Sequence, residues 1–399
     1  MSYNLACISN ANTIYVMTRF LVRYFAFICA SISAFARRTA AICVASMLFV
    51  LSVCAQEYRQ THRVLFYNCE NLFDPSDNPQ TQDDDFTPRG IRHWTFDRQY
   101  RKLICIAQVV AKVGEGSPPC LIGLAEVEND SVIEALLHRT PLWHWQYEYV
   151  ITQSADVRGI NVALLYQPLN FRLLGWEGVK VKVPAGSKPT RDLLHAWGRL
   201  VGGDTLDVVV CHLPSRRGGL RKSAPVRAAA HRCIRHLADS LQAVRRRPHL
   251  LVMGDMNDAP DTKSLCQNMR FGEGLTNLMQ PLQQQLRQGQ LAYGTYKYRG
   301  EWDFLDQFWV NDGLKQPVAA NKLSNKLSNK LSSLQSNHPS HGTVCVWVDS
   351  IRSVCFPFML KEDATHMGHR PWCSYHGYRY EGGFSDHLPI CLDLHISYK

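Results

Sequence analysis

Short polar side chains that follow directly on apolar runs recur along this 399-residue sequence, and they mark where it could do chemistry. In Leu250–Leu265, LLVMGDMNDAPDTKSL, four apolar residues lead into a glycine, and a carboxylate and a carboxamide then stand two apart at Asp255 and Asn257. An acceptor-only Asp beside an Asn that both donates and accepts suits a site holding a water or metal ion together with a phosphate oxygen. An ordinary turn uses the same residue types, so the reading depends on other runs ending in the same way. They do. Asn68 closes RVLFYN, Glu126 closes CLIGLAE, His212 follows LDVVVC, Asp306 lies in DFLDQFWV, and Asp386-His387 stand just before ICLDL. Two histidines on separate strand ends, with acids at the others, favour one shared site over scattered structural roles. Oxygen donors without cysteine are hard ligands, which favour Mg2+, Mn2+ or Ca2+ over a closed zinc site.

For these residues to meet, the runs must be strands whose ends share an edge. Residues 63–67, 120–127, 159–166, 206–211, 250–255 and 390–394 have the length and apolar content of strands, and residues 303–310 alternate as a strand that includes both Asp303 and Asp306. An acid inside an apolar strand is costly alone, so Asp306 needs a partner such as a histidine. Between the strands, Tyr100, Leu103, Ala107 and Val110 have helical spacing, stopped at Gly114–Pro119, and Asn129 caps a second helix over Val132–Leu137. Residues 223–247 read as a basic amphipathic helix. Thr81–Trp94, with three successive acids, reads as a solvated loop, and the order loosens after Thr262. Two arginine placements bear on phosphate. Arg158 precedes NVALLY, and Arg216-Arg217 lie in PSRRGG, a loop that either grips phosphate oxygens or is simply solvated surface.

Length and composition allow one large domain or two average ones with ample core, 46% hydrophobic and 20% charged, and exclude disordered and fibrous classes. The formal charge of +10 overstates the folded part. Residues 1–55 carry four arginines and no acids, which leaves 40 basic against 34 acidic groups, or +6. Arg37-Arg38, the apolar stretch Ala40–Ala55 and its small-residue end read as a secretory signal peptide, too short for a membrane span. The apolar stretch before it reflects either a start at Met17 or a second segment that anchors the protein. The expectation is an exported protein whose fold begins near Glu57. Of 14 cysteines, ten lie beyond residue 55, several in apolar runs as small hydrophobes; one or two disulfides stay open, a disulfide scaffold does not. Residues 321–332 are three copies of Asn-Lys-Leu-Ser, and Gly313–Phe356 reads as an insertion in a surface loop.

Taken together, FYNCENLF, GLAEVE, VVVCHLPS, GDMND, DFLDQFWV and Ser385-Asp386-His387 resemble the endonuclease/exonuclease/phosphatase superfamily, the DNase I-like group, over residues 63–394. The resemblance implies a four-layered α/β sandwich, two mixed β-sheets packed face to face with helices outside, and one catalytic domain over 57–399. It implies that Glu126 is the principal ligand of a divalent metal, Mg2+ first, helped by Asn68 and Asp386. It makes His387 the general base, oriented by Asp306. His212 and Asn257 would hold phosphate oxygens, and Asp255 would position the nucleophile or serve the leaving oxygen. The activity expected is metal-dependent phosphodiester hydrolysis, first by an exported endonuclease on DNA or RNA, and in the alternative by a phosphatase or sphingomyelinase-like lipid phosphodiesterase. A monomer with no obligate protein partner is expected.

Overall fold

Apolar runs of six to eight residues, bounded by Gly, Pro and polar turn residues, are long enough for a strand and too short for a buried helix. The computed structural model describes residues 58–201, 204–216, 219–269, 274–315 and 344–398, with residues 19 and 22–24. The stretch expected to be a signal peptide, the Asn-Lys-Leu-Ser repeats and Arg217 lie outside the described residues. The chain divides into two compact units, Thr61–Ser324 with Val346–His395, and Met1–Gln60 with Asn325–Cys345 and Ile396–Lys399. Every site residue belongs to the first. No helix among the described residues is long and apolar enough to cross a membrane.

From β1 (Tyr58–Leu72) the chain crosses through α1 (Phe96–Gly114) to the parallel β2 (Leu121–Val127), then runs through α2 (Asp130–His138), β3 (Glu148–Ile151) and β4 (Asn161–Tyr166). A second sheet starts with β5 (Phe171–Val179), β6 (Leu193–Leu200) and β7 (Thr205–His212), and α3 (Leu220–Val244) crosses to the parallel β8 (Leu250–Asp255). Next come α4 (Lys263–Met269), β9 (Thr276–Asn277), α5 (Gln280–Arg287), a hairpin of β10 (Tyr296–Tyr298) and β11 (Glu301–Asp303), and β12 (Asp306–Val310). Beyond the repeats lie β13 (Val344–Ser353), the hairpins β14 (Leu360–Glu362) with β15 (His369–Pro371) and β16 (Tyr375–His376) with β17 (Arg379–Tyr380), and β18 (Ile390–Tyr398). The sheets are ordered β13-β18-β1-β2-β4-β3 and β5-β6-β7-β8-β12-β9.

Alternation decides which face each residue takes. Leu65, Tyr67, Ile122 and Leu124 pack under α1 and α2, while Val209, Cys211, Leu250 and Val252 pack under α3 and α4. The intervening residues, Val64, Phe66, Val208, Val210, Leu251 and Met253, are fully buried between the sheets, where β2 and β4 rest on β7. Helices, sheet, sheet and helices make the four expected layers.

Several local expectations change. Thr81–Trp94 is not simply solvated: Asp83 is buried, accepting from Asn78 N and Thr81 Oγ1, and Phe86 and Trp94 pack with Phe73, Ile160 and Tyr375. The acids there are offset by local donors, which charge counting does not reveal. Asp303 ends β11 instead of lying within β12, because the chain turns between the two. The expected insertion is shorter than Gly313–Phe356, since β13 forms the edge of the first sheet. After Thr262 the chain forms α4 and α5. The nine cysteines whose side chains are described are free thiols.

Two predictions arise from this packing. Gly254, immediately before Asp255, is the point where β7 and β8 press together: a Cβ there would meet Cys211 O at 2.2 Å and its Sγ at 2.4 Å. Gly254→Ala is therefore expected to lower stability by about 2 kcal/mol or more, read as a lowered urea midpoint. His231 on α3 is fully buried, and neither ring nitrogen has a hydrogen-bond partner among the described residues. Burial, with Arg227 and Arg232 adding to it, pushes its pKa down to about 3. The unfolded chain takes up this proton below its ordinary value near 6.5 while the fold refuses it, so stability is lost as pH falls from about 6.5 toward 3. His231→Leu should remove roughly 3 kcal/mol of the difference between unfolding free energies at pH 7 and pH 4. Equal pH sensitivity in the variant would refute this.

Candidate active site

Strict alternation would not carry all the polar groups to one rim. Cys69 and Leu72 both face α1, as do Leu124 and Val127, although three-residue spacings should place them on opposite faces. Both strands are therefore bulged: from Asn68 to Leu72 β1 advances four residues while β2 advances two, and from Ala125 to Val127 β2 advances two while β4 advances one. Glu70 and Asn71 take φ of 51° each and Glu126 takes 61°, a left-handed conformation that costs a non-glycine residue about 1–3 kcal/mol. This turns Glu126 to the rim, where Asn71 N donates to its Oε2 at 2.8 Å.

Asp255, at the end of β8, is the hub. Its Oδ2 accepts from Asn68 Nδ2 and Asn257 Nδ2, each at 3.1 Å, and its Oδ1 accepts from Asn257 N at 2.8 Å. The same Oδ2 lies 3.6 Å from His212 Nε2 and 3.9 Å from His387 Nε2. Burial first, and then Asp306 and Glu126, raise its pKa well above the usual carboxylate range against the pull of His387 and the Asn257 amide. Asp386 is raised in the same direction by burial, Glu70 and Glu126.

His387 Nδ1 stands 2.8 Å from Asp306 Oδ2. A carboxylate only accepts, so Nδ1 carries the proton and Nε2 turns to the rim. Asp306 thus meets the partner its place in an apolar strand requires. Burial opposes charge on this imidazole, but Asp306, with Asp255 and Asp386, lifts its pKa well above the ordinary value. Tyr296 backs the ring at 4.7 Å between centroids, and Ser385 Oγ accepts from His387 N while donating to Asn68 O. His212 behaves oppositely. Burial, then Arg191, Arg158 and His387, hold its pKa well below the ordinary value, so it is neutral. Its Nε2 faces two carboxylates, Asp255 and Glu126 Oε1 at 3.7 Å, which places the proton there. Its Nδ1 is buried without a partner among the described residues.

The arginines separate. The Arg158 guanidinium lies 3.9 Å from Glu126 and 3.7 Å from Asp156, beyond hydrogen-bond distance, while its backbone N donates to Asp156 Oδ1 at 2.9 Å and so fixes it beside the rim. Arg216 is committed to the scaffold, donating to Asn257 O at 2.9 Å and to Asp258 Oδ1 at 3.3 Å. Asn257 also spends its amide hydrogens internally, on Asp255 and on Leu213 O. Sequence reasoning missed Arg191, buried and donating to Asp156, His212 O and Leu213 O, which clamps the end of β7. It also missed Lys102, whose place on the buried face of α1 was its one signal.

Among the described residues, Asp255, Asp306 and His387 can bring one ligand atom each within 4.8 Å of the others. The Asp306–His387 bond occupies Oδ2 and Nδ1, so Asp306 Oδ1 and His387 Nε2 are the atoms those two residues could offer. Glu126 Oε1 keeps no contact shorter than 3.7 Å to His212 or Arg158, and Asp386 is crowded by Glu70 and Glu126. Oxygen-rich, mutually repelling and without cysteine, this rim fits a hard divalent cation.

Two solved structures share the fold at a TM-score of 0.50. A mannosyl-6-phosphatase of Bacteroides thetaiotaomicron VPI-5482 is 11% identical, with 84% of this chain and 99% of that one covered at a TM-score of 0.50. A family protein of the same organism is also 11% identical, over 85% and 96%, at 0.50. TDP2 of D. rerio in complex with single-strand DNA product is 14% identical, over 84% and 99%, at 0.49. No curated protein sequence matches. The family model described as Endonuclease/Exonuclease/phosphatase family matches residues 63–334, and with it the two-sheet fold and the rim of acids and histidines agree: this chain belongs to that family, whose members are divalent-metal-dependent phosphoester hydrolases.

Proposed function

We propose that this protein is a Mg2+-dependent phosphodiesterase that is exported and cleaves DNA or RNA. One observation carries the chemistry. His387 is locked by Asp306 with Nε2 directed to the rim, 3.9 Å from Asp255 Oδ2. One water oxygen can lie within hydrogen-bond distance of both. The acids that raise the His387 pKa make its Nε2, in the deprotonated ring, a stronger base, so the pair can orient the water and take its proton as it attacks phosphorus. His212 presents a neutral Nε2–H, and Arg158 a guanidinium, to the charge that grows on the phosphate oxygens. Glu126 and Asp386, with Asn68, would hold the cation, which supplies charge stabilisation at the same oxygens.

Export rests on the basic flank and apolar core of Arg37–Ala55, and the preference for nucleic acid on the net positive charge. The second reading, a phosphatase of a small phosphate ester, is favoured by the commitment of Arg216 to Asn257 and Asp258, which leaves Arg158 as the described arginine beside the rim. One panel separates them: plasmid DNA, RNA, sphingomyelin, inositol phosphates and a hexose 6-phosphate, with Mg2+, Mn2+, Ca2+ or EDTA. Nucleic-acid cleavage that stops with EDTA and falls steeply with salt is expected. Release of inorganic phosphate from the small esters alone would select the second reading, and turnover unaffected by EDTA would overturn both.

A further inference from the structure

Behind the rim, Lys102 on α1 is buried, and its ammonium donates to the Phe384 carbonyl at 2.6 Å, to Ser374 Oγ at 2.7 Å and to Glu70 Oε2 at 3.3 Å. Three donors thus meet three acceptors, which an aliphatic stem carrying a compact cation can arrange and a flat guanidinium cannot. Glu70 is equally engaged, accepting from Ser374 N at 2.6 Å and from Tyr375 N at 3.3 Å besides Lys102. Glu70 stands two residues beyond Asn68 on β1, in the left-handed conformation, and is held toward residues 374–375. Phe384 opens the segment Phe384-Ser385-Asp386-His387, in which Ser385 Oγ donates to Asn68 O and accepts from His387 N. A buried ion pair contributes little net stability beside a well-packed apolar pair, so stability alone does not account for this one.

We propose that Lys102 is a positioning residue: through the Phe384 carbonyl it sets the loop that delivers Asp386 and His387, and by pairing with Glu70 it keeps that carboxylate out of the donor set at the rim. The inference rests on the assignment of Asp386 and His387 to the reaction. Lys102→Met alone buries an unpaired Glu70 and so confuses misplacement with misfolding, whereas Lys102→Met combined with Glu70→Gln removes both charges and keeps the volume.

The test uses the full chain and three readouts. In the double variant the melting temperature should recover most of what the Lys102→Met single variant loses. Turnover of bis(p-nitrophenyl) phosphate should stay at least tenfold down in kcat with KM within about twofold, and Mn2+ affinity by calorimetry should fall about tenfold. The proton between His387 Nδ1 and Asp306, followed by NMR without metal or substrate, should shift or broaden. A double variant that regains wild-type kcat and Mn2+ affinity with its melting temperature would reduce Lys102 to a partner for Glu70 and overturn the proposal. A wild-type protein inert toward every phosphate ester would sink the hydrolytic reading instead. In that case an unmoved His387 proton signal would refute the positioning role, and a displaced one would support it.

Discussion

His387→Ala is expected to lower kcat/KM for phosphodiester hydrolysis by about a thousandfold or more, the scale of a lost proton-transfer group together with its share of charge stabilisation. The imidazole joins two buried acids, with Nδ1 on Asp306 at 2.8 Å and Nε2 near Asp255 at 3.9 Å. No other described residue bridges that gap. Among the described residues Asp306 Oδ1 already lacks a partner, so removing the ring leaves the whole carboxylate unpaired there and also costs stability. Asp306→Asn separates the two effects. It keeps the volume but can donate to Nδ1, which favours the wrong tautomer, and activity should fall by a similar factor while the melting temperature moves little. Rates within tenfold of wild type for both variants, measured on bis(p-nitrophenyl) phosphate and plasmid DNA, would remove His387 from the reaction.

Glu126→Gln should give the second large effect, with a signature of its own. The substitution preserves shape at a strained position and deletes one member of a crowded set of acids. Without metal the variant should therefore be as stable as wild type or more so. With Mg2+ or Mn2+ the wild type should be stabilised by roughly 3 kcal/mol at a hundredfold excess over Kd, and the variant should lose most of this gain along with at least a hundredfold of its activity. Equal thermal shifts in the two proteins would show that the cation binds elsewhere, with the group of Asp255, Asp306 and His387 the first place to look.

What the sequence made legible was periodicity and punctuation. Apolar runs ending in Asn68, Glu126, His212 and Asp255 became strands, and Asn129 caps α2 by accepting from Val132 N. Less visible were β5 and β6, whose mixture of Trp, Arg, Gly and His hides alternation until their partners are known. Bulges escaped as well. The extra residues in β1 and β2 leave composition unchanged, yet they decide that Glu126 reaches the rim. The roles of Arg216 and Lys102 depended on acceptors 32 or more residues away, and a cation's partner at that distance cannot be read from its neighbours in sequence.

β18 lies between β13 and β1 in the first sheet and begins three residues after His387. During synthesis β1 leaves the ribosome with its later neighbour still more than three hundred residues away, a long-range closure of the kind that folds slowly. Nascent chains stopped anywhere before Asp386 lack both an acid of the rim and its principal imidazole. On the roles proposed for these two residues, every shorter translation product is expected to lack hydrolytic activity, as an assay of chains truncated before Asp386 would show.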